Sequence, residues 1–136
     1  MKKLLLLSDL FIFACSSDDS SDTSNPTFLE KYNGVVWEQN EEVYIKRVMF
    51  VNEPKSIIGK DHYQNLETEC QTINFSENNI VIIENNDDTL VINGELLPNC
   101  ETSTISYNVI NNVLSVQGDC FNTQTAYRTT LTDHYE

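Results

Sequence analysis

From residue 27 onward, apolar and polar residues alternate with a period of two, and no window sustains the 3.6-residue apolar repeat of a helix. Val43 to Val51 sets Tyr44, Lys46, Val48 and Phe50 against Val43, Ile45, Arg47 and Met49, one set for each face of a strand. Similar runs follow at Glu69 to Phe75, Ile80 to Ile83, Leu90 to Leu96, Ile105 to Val109, Val113 to Val116 and Thr125 to Thr132. Ser76-Glu77-Asn78-Asn79, Glu84-Asn85-Asn86-Asp87-Asp88 and Leu97-Pro98-Asn99 separate them as turns. Asn111-Asn112, between two apolar alternations, is a two-residue hairpin signal, because Asn tolerates positive φ. Only Ser56 to Leu66 lacks a clear pattern, with Ile57-Ile58 a candidate short strand. The expectation is an all-β chain, an antiparallel meander of about eight strands. Closing such a meander into a small barrel removes its unpaired edges. A two-sheet sandwich of the same strands is the alternative, since periodicity does not count sheets.

The first residues follow a different logic. Lys2 and Lys3 precede an apolar run from Leu4 to Ala14, the layout of a secretory signal peptide over residues 1–14, interrupted by Asp9. The run is too short to span a bilayer, which takes roughly 20 apolar residues. After Cys15 the chain reads Ser-Ser-Asp-Asp-Ser-Ser-Asp-Thr-Ser-Asn-Pro, which has nothing to place in a core. Residues 15–26 therefore read as a flexible acidic tether, and residues 27–136 as one folded domain.

Composition narrows the partners. The 136 residues carry 21 acidic and 8 basic side chains, a net charge of −13. With residues 1–14 removed, 6 basic and 20 acidic residues remain, a charge of −14. Such a surface repels phosphate backbones, and nucleic acid is not an expected partner.

Three resemblances carry more. Ile12-Phe13-Ala14-Cys15 resembles a bacterial lipobox, which implies cleavage before Cys15 and acylation of that residue with chains such as palmitate. Cys15-Ser16-Ser17-Asp18-Asp19 is similar to the export signal of Bacteroidota-type surface lipoproteins. It implies an outer-membrane anchor facing the cell exterior, with Ser16, Ser17, Asp18 and Asp19 as the sorting residues. Gly34-Val35-Val36-Trp37 resembles the Gly-x-Trp entry strand of lipocalins, although its spacing is Gly-x-x-Trp. Arg128 matches the late Arg that packs over that Trp in the family. The resemblance implies a small lipocalin-like (calycin) barrel, Trp37 and Arg128 together at one barrel end, and room for one small apolar or amphipathic ligand.

Chemistry is sparse. His62 lies in the unpatterned segment and reads as an exposed loop residue; His134 is near the C-terminus. Neither has a ligand at metal spacing, and no Gly-rich phosphate loop or nucleophile elbow occurs. Glu41-Glu42 and Asp87-Asp88 are sequence neighbours, which on a strand point to opposite faces and read as solvated charge. No catalytic residue, metal or cofactor is expected, and no enzymatic activity. Asp88-Thr89-Leu90 resembles an O-glycosylation pattern of Bacteroidota-type exported proteins. Two function classes stay open: a lipid-anchored monomeric barrel that binds a small ligand, or a filled β-domain serving as an envelope interaction or structural module.

An exported domain permits disulfides, and lipidation of Cys15 leaves Cys70, Cys100 and Cys120. Successive turns of a meander alternate between its ends. The turns near 97–101 and 118–122 therefore share one end, and Cys100 is expected to bridge Cys120. Cys70, at the far end of its strand, is roughly 20 Å away at about 3.3 Å per residue.

Overall fold

Period-two patterning makes this chain almost entirely strand, and the computed structural model describes it over residues 24–63, 66–67, 70–95 and 102–130. One short helix comes first, α1 (Phe28–Lys31). The strands follow as β1 (Val36–Glu41), β2 (Tyr44–Val51), β3 (Ser56–Tyr63), β4 (Leu66–Glu67), β5 (Gln71–Asn74), β6 (Val81–Asn85), β7 (Thr89–Gly94), β8 (Ser103–Ile110), β9 (Val113–Gly118) and β10 (Phe121–Arg128). They form a single sheet in the order β4-β3-β2-β1-β10-β9-β8-β7-β6, with β5 also on β3. Every pairing is antiparallel.

The sheet is one curled half-barrel, consistent with a lipocalin-like barrel, and β1 joins its two halves by pairing with both β2 and β10. It has ten strands where about eight were expected, because β3 divides its partners: β5 pairs with Ser56 to Gly59 and β4 with His62 and Tyr63. Among the described strands β5 and β6 do not pair. From β5 through β3 to β6 the path holds nine strands, and an odd number of antiparallel neighbours leaves both end strands running the same way. They cannot meet as an antiparallel pair.

Three local features set the ends. Asn111 and Asn112, at φ 52° and 61°, make the tight β8–β9 hairpin that the Asn-Asn pair predicts. The segment Ser56 to Tyr63 is a full strand rather than a short one, and His62 is a half-buried strand residue opposite Ile45, not a loop residue. The last strand runs from Phe121 to Arg128, earlier than the expected Thr125 to Thr132.

Helix α1 is the element that the strand pattern does not predict. Thr27 accepts from the Glu30 N–H while the Glu30 carboxylate accepts from the Thr27 N–H, a capping box that starts the helix. Gly34, at φ +73°, then turns the chain into β1, and its N–H donates to the Phe50 carbonyl at 2.9 Å. The helix thereby lays Phe28, Leu29 and Tyr32 against the concave face of the sheet, all buried. Burying each such side chain contributes on the order of 1.5–3 kcal/mol. The core continues through Trp37, Phe50, Leu90, Ile92, Ile105, Tyr107, Val109, Leu114 and Ala126.

Candidate functional site

Residues opposite each other across a ladder share a face, so the register assigns the concave surface. Trp37 pairs with Val48 and Arg128, Gln39 with Lys46, Val48 with Gly59, and Lys46 with Asp61. On the other half, Tyr107 pairs with Leu90 and Val116, and Val116 pairs with Gln124. Curling the sheet brings these rows around a cavity of about 210 Å³. Val48, Gly59, Tyr107, Val116 and Ala126 give it apolar walls, and Gln39, Lys46, Asp61 and Gln124 add polar groups.

Aromatic contacts connect α1 to this cavity. Phe28 stands edge-on to Phe50 at 5.0 Å between ring centroids, and Phe50 stands edge-on to Tyr107 at 5.1 Å. The helix thus fills one side of the concave face, and Tyr107 forms the boundary between packed core and cavity. No hydrogen bond engages the Tyr107 hydroxyl among the described residues, and burial holds its ionisation above the ordinary tyrosine range. At the polar row, the Tyr44 hydroxyl donates to Asp61 Oδ2 at 2.7 Å, and Lys46 Nζ lies 5.1 Å from the Tyr44 ring centroid. Burial, then the Asp61 carboxylate, also pushes the Tyr44 ionisation up.

A wider depression of about 430 Å³ lies along the β1–β2 hairpin, with Glu42, Ile45, Arg47 and His62 among its residues. There Arg47 Nε donates to Glu38 Oε2 at 2.9 Å, and His62 Nε2 is buried with no hydrogen-bond partner. No group of three or more His, Cys, Asp or Glu side chains suited to a metal occurs among the described residues.

Trp37 is fully buried and is the register partner of Arg128 at the β1–β10 junction. Arg128 is exposed, and no cation lies over the Trp37 ring among the described residues; Tyr32 covers it instead, at 5.6 Å and 68°. Cys15, Ser16, Ser17, Asp18, Asp19 and Cys100 lie outside the described residues. Cys70 is a free, half-buried thiol just before β5. Asp119, beside Cys120 in the β9–β10 turn, accepts the Thr104 N–H at 3.1 Å, which ties that turn to the start of β8.

Two acidic residues read as solvated charge are structural acceptors. Lys31 Nζ lies 2.7 Å from Asp87 Oδ1 and 2.8 Å from Asp88 Oδ1, and the Tyr32 hydroxyl donates to Asp88 Oδ1 at 2.7 Å. Together with Asn85 Oδ1, which accepts the Leu29 N–H at 3.2 Å, they fasten α1 to the β6–β7 turn. Thr89, in the glycosylation-like pattern, is half-buried in β7 and donates its hydroxyl to Asn108 Oδ1 at 3.0 Å. The cavity residues Gly59, Tyr107 and Gln124 carry no motif; only the closure of β1 on β10 brings them together. Compared with protein-family models, curated proteins and solved structures, the chain matches none.

Proposed function

We propose that the protein is a lipid-anchored outer-membrane lipoprotein, held through Cys15 and facing the cell exterior, whose half-barrel binds a small apolar or amphipathic ligand. The acidic tether over residues 15–26 holds the domain away from the bilayer, and the protein acts as a monomer. The observation that carries the ligand reading is the cavity of about 210 Å³, apolar in its walls and edged by Gln39, Lys46, Asp61 and Gln124. An apolar cavity of about 150 Å³ accommodates benzene, so this one suits a single ring with a substituent or a short chain. A Cys100–Cys120 disulfide belongs to the same reading. The Asp119–Thr104 hydrogen bond supports it, because Thr104 lies four residues beyond Cys100.

Titration with ethylbenzene, followed by methyl NMR, tests the ligand reading. Selective, saturable shifts at Val48, Val116 and Ala126 are expected. Shifts spread over the surface, or none, contradict it.

A second reading, an envelope interaction module, draws on the edge strand β6, which pairs with β7 and with no second strand among the described residues. It exposes Val81 and Ile83, with relative exposures of 62% and 60%. A bulge between Ile82 and Glu84 interrupts the ladder of that strand, a device that discourages edge-to-edge pairing.

A further inference from the structure

Three tyrosines with described side chains pack against the concave face or its rim, and two of them have built acceptors. Tyr32 donates to Asp88 and Tyr44 donates to Asp61, each at 2.7 Å. Tyr107 is more deeply placed than Tyr44, with a relative exposure of 7%, and its hydroxyl has no partner among the described residues. The unpartnered hydroxyl lies on a residue that lines the cavity, between Leu90 and Val116 in the register.

We propose that Tyr107 is the specificity-determining donor of this cavity, selecting a neutral molecule of about one ring that carries a single acceptor oxygen. The inference rests on the ligand-binding reading and deepens it. The acceptor follows from the chemistry of a phenol, whose oxygen lone pair is delocalised into the ring. Its O–H is therefore a good donor and its oxygen a poor acceptor. Neutrality follows from the neighbours of Tyr107, since Leu90, Val116 and Phe50 beside it are all apolar and stabilise no charge. Size follows from the volume of about 210 Å³, room for a ring and a two- or three-atom substituent. In the bound state the Tyr107 O–H donates to the ligand oxygen, while Val48, Val116 and Ala126 pack its apolar body.

The test compares acetophenone with α-methylstyrene, which has the same shape with a methylene in place of the carbonyl oxygen. Dissociation constants are measured by NMR titration of the mature full-length protein and its Tyr107→Phe variant. The wild type is expected to bind acetophenone about tenfold more tightly, the worth of one hydrogen bond in a desolvated site. In Tyr107→Phe that preference falls to about one, through weaker acetophenone binding alone. Unchanged α-methylstyrene affinity shows at the same time that the variant is folded. A wild type without preference, a preference that survives in Tyr107→Phe, or equal weakening of both probes overturns the donor role and leaves the ligand reading standing. Failure of the wild type to bind either probe overturns the ligand reading itself, and the donor role with it.

Discussion

Trp37 and Arg128 are register partners across β1 and β10, the pairing that joins the beginning of the sheet to its end. Their contributions are unequal. Trp37 is fully buried between Tyr32 and the sheet, whereas the Arg128 side chain is exposed and carries no described ring contact. Urea denaturation is expected to show a loss of about 3–5 kcal/mol for Trp37→Ala, from transfer and cavity effects together. Arg128→Ala is expected to stay within about 0.5 kcal/mol of the wild type. Equal losses would mean that the pair acts as a unit.

The latch between α1 and the β6–β7 turn makes stability depend on pH in a defined direction. The Lys31 ammonium, then the Tyr32 hydroxyl, holds the Asp88 carboxyl below its ordinary value of 3.8. A carboxyl depressed on folding stabilises the fold above its unfolded pKa, and that contribution is lost as pH falls through the folded pKa. Asp87 and then Asp88 hold Lys31 above its ordinary 10.5, so its contribution is fully present below that value and is lost only in strong alkali. The melting temperature of the wild type is therefore expected to fall on acidification below about pH 4, and less so in Asp88→Asn. High salt is expected to shrink the difference, since the pair is exposed. Parallel acid profiles for the two proteins would contradict the latch.

The β8–β9 turn tests local against tertiary control. Asn111 and Asn112 both hold positive φ, which a β-branched residue adopts only at a cost of about 1–2 kcal/mol. Asn112→Val is expected to destabilise by that amount in thermal unfolding, and Asn112→Gly to be neutral or slightly stabilising. A tolerated Val would mean that the turn relaxes.

These residues also show what the sequence made readable. Asn111-Asn112 and the alternation from Val43 to Val51 act over a few neighbours, so the hairpin and β2 could be read directly. Strand β3 was obscured because Gly59 breaks its apolar rhythm and Lys60, with a relative exposure of 4%, is buried against expectation for its type. Helix α1 spans only four residues, too few for any apolar period, and its signal was the Thr27-x-x-Glu30 capping box. The cavity was not readable at all. Its walls come from several strands and include Gly59 and Gln124, which no hydrophobic pattern marks as lining a site.

The cysteines separate by position. From Gln71 the register runs through Gly59, Val48 and Trp37 to Arg128, which lies eight residues along β10 from Cys120. That separation is roughly 26 Å at about 3.3 Å per residue, against the 7 Å or so that a disulfide allows between Cα atoms. Non-reducing peptide mapping is expected to return a Cys100–Cys120 crosslink and Cys70 alkylated as a free thiol. Cys15→Ser is expected to release the protein from membranes. A crosslink to Cys70, or full membrane retention of Cys15→Ser, would contradict these assignments.

The cavity of the half-barrel is proposed to hold a small molecule, and Gly59 gives direct access to it. Gly59 lines the cavity, and a Cβ there would meet nothing nearer than the Arg47 carbonyl oxygen at 4.0 Å. A larger side chain can therefore enter the cavity from β3 without a backbone clash. The decisive measurement is a native mass spectrum of the delipidated protein recovered from its own envelope, compared with Gly59→Leu prepared in the same way. The wild type should carry one bound small molecule that collisional activation removes, and Gly59→Leu should be bare. A bare wild type, or the same added mass on both proteins, would contradict the claim.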